Sequence, residues 1–198
     1  QEAALIGIVG ATTGCGLDTI GITVKIANFG MDTINGNLMA YYTISGTSLT
    51  SESVTATILP GDTLTFTFTN DAIVTSQVDT NIIIKTWITL TGDPIQFNDT
   101  NSIVLFNGVI PPGPVITNAT VAYGNTATLT ATASNIIFWY DNLTQTTPSA
   151  VGNSYTTGTL FATTYVYAKA SASNGCLSLP VTGTATITGI PAGDVGIS

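Results

Sequence analysis

Large apolar residues alternate with threonine along several stretches of this sequence. Residues 63–69 read Thr-Leu-Thr-Phe-Thr-Phe-Thr, and residues 21–27 and 126–132 follow a similar order. Neighbouring side chains of a strand point to opposite faces, so such a stretch buries one face and exposes the other. Helix-forming residues are scarce, whereas Thr, Val and Ile dominate, and this composition favours strands. The pattern predicts an all-β fold of antiparallel sandwiches.

Turn signals and prolines divide the chain into two domains. About seven strands are predicted before residue 108 and six between 115 and 188, with Gly, Asn and Asp turns between them. The prolines of residues 110–114 cannot join a strand ladder and mark an extended linker. We therefore predict β-sandwich domains of the immunoglobulin type over 1–109 and 115–190.

The two ends of the sequence are similar to each other. The last five residues, Asp-Val-Gly-Ile-Ser at 194–198, share a pattern with Leu-Ile-Gly-Ile-Val at 5–9. Because this similarity follows a Pro-Gly breaker, we interpret residues 191–198 as the start of the next repeat in a tandem array. The alternative is a C-terminal tail that belongs to no further domain.

The charged residues exclude several classes of function. The chain has no His, only three Lys and Arg together, and a net charge of -8. Nucleic-acid binding needs clustered Lys and Arg, so no nucleic-acid partner is expected. A Ser-His-Asp triad and imidazole metal ligands are also excluded, because both need His. The longest apolar runs are far shorter than the roughly 18 residues of a membrane helix, so we expect a non-catalytic protein without membrane insertion.

Short stretches along both domains carry a family resemblance. Those of the second domain are GNTATLTA at 124–131, FWYD at 138–141, YTT at 155–157, TTYVYAKA at 163–170 and NGCLS at 174–178. Those of the first domain are GCGL at 14–17, VKIANFG at 24–30, LPGDTL at 59–64 and NDTN at 98–101. The second domain resembles the immunoglobulin-like repeats of secreted Bacteroidetes proteins, and the first resembles the adhesion-related domains that accompany them.

This resemblance implies a place in a long cell-surface adhesin. Such repeats occur in adhesins tied to gliding motility and exported by the type IX secretion system, and also as accessory modules beside secreted enzymes. Members of the immunoglobulin-like family often carry a Cys just before the strand at 126–132, where this chain has Tyr123. The expected partner of Cys176 within its own domain is therefore missing.

Two interpretations of the cysteines are open. The turn that holds Cys15 lies at the bottom of an up-and-down first sandwich, and the turn that holds Cys176 lies at the top of the second. A disulfide between them is geometrically possible, and closing so long a loop would stabilise the fold by about 4 to 5 kcal/mol in the chain-entropy model. The alternative is two unrelated buried thiols.

Three further sets of residues are candidate sites. Asp93, Asn98, Asp99 and Asn101 offer the oxygen ligands that calcium takes, although they lack the spacing of a regular calcium loop and are also ordinary turn formers. No other cofactor is expected. Trp87 and Trp139 are spaced like the core tryptophans of two sandwiches. The Asp-Thr-apolar triplets that contain Thr19, Thr33 and Thr63 resemble the O-glycan acceptors of exported Bacteroidetes proteins.

These observations predict a structural segment of an extracellular surface adhesin or filament. Its partners would be neighbouring repeats of the same chain or filament, and a surface polysaccharide is a further candidate. One alternative is a filament subunit that assembles by strand addition at an open sheet edge. Another is a carbohydrate-binding or spacer module of a secreted enzyme, which would present aromatic side chains on one face.

Overall fold

The computed structural model describes residues 1–189 and divides the chain into two compact units. Unit 1 is Gln1–Val109, and unit 2 begins at Ile110. Within the described residues every regular element is a strand except for one turn of 3-10 helix, and no helix is long and apolar enough to cross a membrane. The predicted start of a further repeat at 191–198 lies outside the described residues.

Unit 1 is described in full and contains twelve strands. They are β1 (Ala3–Val9), β2 (Gly14–Cys15), β3 (Thr19–Ile20), β4 (Thr23–Asn28), β5 (Ile34–Asn35), β6 (Leu38–Ile44), β7 (Thr47–Val54), β8 (Thr57–Ile58), β9 (Thr63–Thr67), β10 (Ala72–Ile73), β11 (Thr80–Leu90) and β12 (Thr100–Gly108), with the 3-10 turn η1 (Gln96–Asn98) between the last two. One sheet has the order β1-β4-β9 and the other β2-β12-β11-β6-β7.

The two sheets of unit 1 enclose an apolar core. The largest completely buried side chains of the unit come from both sheets and from the short strands between them. They are Ile22, Val24, Ile26, Ile34, Leu38, Val54, Ile58, Ile84 and Ile88. The core of unit 1 is therefore supplied by strands that lie far apart in sequence.

Unit 2 contains eight strands between residues 110 and 189. They are β13 (Val115–Thr117), β14 (Ala119–Ala122), β15 (Thr126–Thr132), β16 (Ile136–Tyr140), β17 (Ala150–Val151), β18 (Ser154–Thr159), β19 (Thr164–Ser171) and β20 (Val181–Thr188). The sheets have the orders β13-β15-β18 and β14-β20-β19-β16-β17. Leu129, Ile137 and Trp139 are completely buried between them.

The alternating residues face the directions that the sequence predicts. In β15 the apolar residues Ala127, Leu129 and Ala131 are buried, and every threonine between them is exposed. In β4, Val24 and Ile26 are completely buried. Side-chain alternation along each strand therefore separates the core from a threonine-covered outer surface.

Two strands of unit 2, β14 and the short β17, were not predicted. β14 leaves the sheet that contains β13 and pairs in parallel with β20, where Ala119 lies opposite Ala185. Unit 1 makes a similar change, since β1 lies in one sheet and β2 pairs in parallel with β12 in the other. Parallel pairing needs no hairpin turn, so the local turn signals do not indicate it.

The two tryptophans differ in position. Trp139 is completely buried, and its indole Nε1 donates a hydrogen bond to the Gly152 carbonyl oxygen (2.8 Å). The prediction of a core tryptophan is wrong for Trp87, which is only partly buried. In β11 the even-numbered residues, such as Ile84 and Ile88, face the core, and Trp87 therefore points to the outer face.

Replacing each tryptophan by alanine tests this difference. Trp139→Ala should lower the free energy of unfolding of unit 2 by about 3–5 kcal/mol, because it leaves a cavity and an unpaired carbonyl. Trp87→Ala should cost unit 1 about 1 kcal/mol, the value of a surface aromatic contact. Urea unfolding followed by far-UV circular dichroism, with the disulfide intact, measures both. Equal losses would contradict the assignment.

Candidate functional site

Four polar residues meet at one end of unit 1. Glu2 lies just before β1, Asp93 lies in the loop after β11, and Asn98 and Asp99 lie where η1 leads into β12. The Asn98 side-chain Nδ2 donates a hydrogen bond to Glu2 Oε1 (2.7 Å). The carboxylates Glu2, Asp93 and Asp99 are only 7%, 8% and 7% exposed. We call these four residues the acidic cluster.

Backbone hydrogen bonds hold the acidic cluster in place. Asp93 Oδ2 accepts from the Ala3 N–H (2.8 Å), and its Oδ1 accepts from the Ile95 N–H (2.9 Å). The Glu2 carbonyl oxygen accepts from the Gly30 N–H (3.3 Å). A Cβ atom at Gly30 would lie 2.7 Å from the Glu2 backbone nitrogen, so this close approach requires glycine.

Asp99 is the least satisfied member of the acidic cluster. Burial raises the pKa of Asp99 to about 6, with smaller contributions from the negative charges of Asp93 and Glu2. Its buried Oδ1 has no hydrogen-bond partner within the described residues, and the same holds for Asn98 Oδ1. Buried polar atoms without partners are rare in proteins, because each has lost its hydration.

The structure brings together three of the four predicted calcium ligands. Asp93, Asn98 and Asp99 belong to the acidic cluster, whereas Asn101 lies in β12 opposite Thr86. Glu2 was not predicted, because it is more than 90 residues away in sequence and no local pattern links it to the loop. Among residues 1–189, no group of three or more acidic or cysteine side chains is already arranged around a metal position.

Both cysteines are disulfide-bonded. The chain has two cysteines, Cys15 and Cys176, and neither is free. This decides between the two interpretations of the sequence in favour of the disulfide. Cys15 ends β2 in unit 1, and Cys176 lies in the turn after β19 in unit 2.

The outer face of the larger sheet of unit 1 carries an aromatic pair. Tyr41 in β6 lies opposite Trp87 in β11, and the two rings are stacked with centroids 5.3 Å apart and an interplanar angle of 6°. The Lys85 Nζ lies 5.9 Å from the centre of the Trp87 ring. Thr89 Oγ1 donates a hydrogen bond to the Tyr41 hydroxyl oxygen (3.4 Å). Both side chains are partly exposed to solvent.

The three candidate O-glycan acceptors differ in solvent exposure. Thr19 begins β3 and Thr63 begins β9, and both are exposed. Thr33 is partly buried, and its backbone oxygen accepts a hydrogen bond from the Gln1 side chain (2.6 Å). O-glycosylation stays a prediction for all three, with Thr19 and Thr63 the more accessible positions.

Comparison with known proteins gives one family match. Residues 111–190 match the model of a family described as "Ig-like domain CHU_C associated". The match lies entirely in unit 2. A search of curated proteins gives no match to this chain.

Several solved structures align with most of this chain at low identity. Fibronectin(III)-like modules of Clostridium thermocellum CbhA are 13% identical over 92% of this chain and 93% of that chain, with a TM-score of 0.43. Red sea bream transglutaminase is 10% identical over 96% of this chain and 32% of that chain, with a TM-score of 0.38. CBD12 from CALX1.2 is 10% identical over 91% and 81%, with a TM-score of 0.37.

The predicted fold class is confirmed. Residues 1–189 form β-sandwiches in both units, and residues 111–190 match an immunoglobulin-like family. The similarity of residues 111–190 to a Bacteroidetes-type immunoglobulin-like family agrees with the resemblance inferred from the sequence.

The disulfide makes a specific prediction for peptide mapping. Cleavage after Lys25, Lys85 and Lys169 gives four peptides, with Cys15 in 1–25 and Cys176 in 170–198. In protein extracted from the producing cells with its free thiols alkylated, these two peptides should remain joined until a reductant is added. Peptides 26–85 and 86–169 lack cysteine and serve as internal controls. Alkylated Cys15 in the native protein would contradict the assignment.

Proposed function

We propose that this chain is a non-catalytic structural segment of an extracellular cell-surface adhesin or filament. In this function, tandem immunoglobulin-like units act as a stalk that holds a binding region away from the cell, or they form the fibre itself. The proposal extends to attachment and gliding motility as the processes that such a stalk serves. Neighbouring repeats of the same chain or filament would be its partners.

The observation that carries this proposal is the disulfide between Cys15 and Cys176. Disulfides persist in oxidising compartments such as the cell exterior and are rare in the cytosol. This bond closes one covalent loop that contains most of both units, with only residues 1–14 and 177–198 outside it. A tensile load applied at the two chain ends would pass through the disulfide, so it could detach β1 and β20, which lie outside the loop, but could not stretch the strands inside it.

The two separate cores support the same proposal. Each unit encloses its own apolar cluster, as expected of repeats that are stable as individual members of an array. Threonine supplies much of the outer face: Thr63, Thr65 and Thr67 are all exposed along β9. Such a surface is polar without being basic, which suits a spacer that projects into solvent.

Stretching single molecules from their two ends tests the load-bearing function. The oxidised chain should extend by roughly 130 Å, because about 36 residues lie outside the loop and each spans at most ~3.6 Å. The reduced chain should extend to roughly 700 Å when both units unfold. Force spectroscopy with and without reductant measures this difference.

A double variant provides the control for this experiment. Cys15→Ser combined with Cys176→Ser should give the long extension under both conditions. An oxidised wild-type chain that extends as far as this variant would show that the disulfide does not carry the load, and the stalk proposal would lose its main support.

The aromatic pair favours a second candidate function, carbohydrate binding. Tyr41 and Trp87 lie on an outer sheet face, partly exposed, beside the Thr89 hydroxyl and the Lys85 ammonium group. Aromatic rings pack against the C–H faces of sugars, and hydroxyl and ammonium groups donate to sugar oxygens. A surface polysaccharide is therefore the ligand class that suits this face.

Affinity electrophoresis in gels that contain a soluble polysaccharide tests this second function. Wild-type protein should be retarded, and Trp87→Ala should lose at least about tenfold in affinity, which corresponds to roughly 1.4 kcal/mol. Tyr165→Ala is the matched control, because Tyr165 is a 55% exposed aromatic residue in unit 2. Equal retardation of both variants, or none for the wild type, would exclude this face as a sugar site.

A further inference from the structure

We propose that the acidic cluster of unit 1 binds one divalent cation of the calcium class, with Asp99 and Asn98 as side-chain ligands and Glu2 and Asp93 as the surrounding negative charge. The site would join the segment before β1 to the loop between β11 and β12. It is separate from the disulfide and does not depend on the stalk function, although Trp87 of the aromatic pair lines the same cavity as Asp99.

The first argument is the state of the two ligand oxygens. Asp99 is 93% buried, being 7% exposed, and its Oδ1 has no hydrogen-bond partner in the described residues. Asn98 Oδ1 is likewise buried and unpartnered, while the Nδ2 of the same side chain is committed to Glu2. Both free atoms are oxygen acceptors on adjacent residues. A cation bound between them would satisfy both, and no neighbouring donor within residues 1–189 does so.

The second argument is charge. Three carboxylates are buried together, and burying an ionised carboxylate without a counter-charge is costly. Within the described residues none of them forms an ion pair with a lysine. Lys85 lies over the Trp87 ring, and Lys169 lies over the Tyr140 ring of unit 2. One divalent ion would supply the missing positive charge.

The third argument is space. Asp99 lines a cavity of about 260 Å³ together with Gln96, Thr100 and Trp87. This cavity has room for water beside Asp99, since a water occupies about 30 Å³ of liquid, whereas Asn98, Glu2 and Asp93 do not line it. Calcium takes six to eight oxygens from carboxylates, amides, carbonyls and water, so two side-chain ligands are compatible with a partly hydrated ion.

The chemistry of these ligands predicts modest affinity and a preference for calcium. Because three carboxylates do not converge on one point, the affinity should be on the order of 10⁻⁴–10⁻³ M, the range of extracellular calcium modules. The ligands come from a short turn and its flank, which suits the flexible coordination of calcium better than the strict octahedron of magnesium.

Calorimetric titration of the chelator-treated full chain with CaCl2 is the primary test. The wild type should bind one equivalent with a dissociation constant on the order of 10⁻⁴–10⁻³ M, and 5 mM CaCl2 should raise its Tm by roughly 5 °C. The same concentration of MgCl2 should have a clearly smaller effect. No heat and no shift in a natively folded chain would overturn the proposal.

Variants distinguish a cation site from a carboxyl group that is simply protonated. Asp99→Asn should raise the Tm without calcium, because it removes a buried charge, and should abolish the calcium response. Asn98→Ala should weaken calcium binding about tenfold, and it keeps the proposal testable if Asp99→Asn does not fold. Asp62→Asn removes one exposed carboxylate of the same unit and should bind like the wild type. Unchanged calcium binding in Asp99→Asn would contradict the site.

Terbium luminescence locates the ion. Because Trp87 and Asp99 line the same cavity, Tb³⁺ bound at Asp99 should be sensitised by excitation of Trp87. Trp87→Phe should lose most of this emission and still bind calcium in the calorimeter. Full emission in Trp87→Phe would place the ion elsewhere.

Discussion

Backbone hydrogen bonding between strands is the constraint on which the rest of this structure depends. A strand in a ladder must place successive side chains on opposite faces. In a chain where threonine alternates with apolar residues, each ladder therefore produces one buried and one hydroxyl-covered face. Val24 and Leu129 show the buried side in the two units. Threonine occupies many of the outward positions, in a chain where charged residues make up only 7% of the sequence.

At the ends of the sandwich the chain leaves the strand ladders, so side-chain alternation no longer applies. The acidic cluster of unit 1 lies at such an end. Loops must satisfy their own polar groups, and most of this loop does so: Asp93 accepts two backbone N–H groups. Asp99 is the exception, since its carboxylate is buried beside two others with one oxygen unpaired. A fold that tolerates this arrangement must compensate for it with a proton or a cation.

The disulfide adds a covalent constraint to the two separately packed cores. A disulfide that closes a loop from Cys15 to Cys176 removes conformational freedom from the unfolded chain. It also limits how far the chain can extend under load. The same bond therefore bears on both thermodynamic and mechanical stability, which is the combination that the proposed stalk function requires.

The sequence by itself determined the fold class, the inward and outward faces of strands such as Thr126–Thr132, and the burial of Trp139. These properties depend on local periodicity, which is visible in neighbouring residues. Only the tertiary structure decided that Trp87 faces outward, that β14 pairs in parallel with β20, and that Glu2 joins Asp99. These features depend on strand register and on contacts across more than 60 residues of chain, and local sequence patterns carry no record of such contacts.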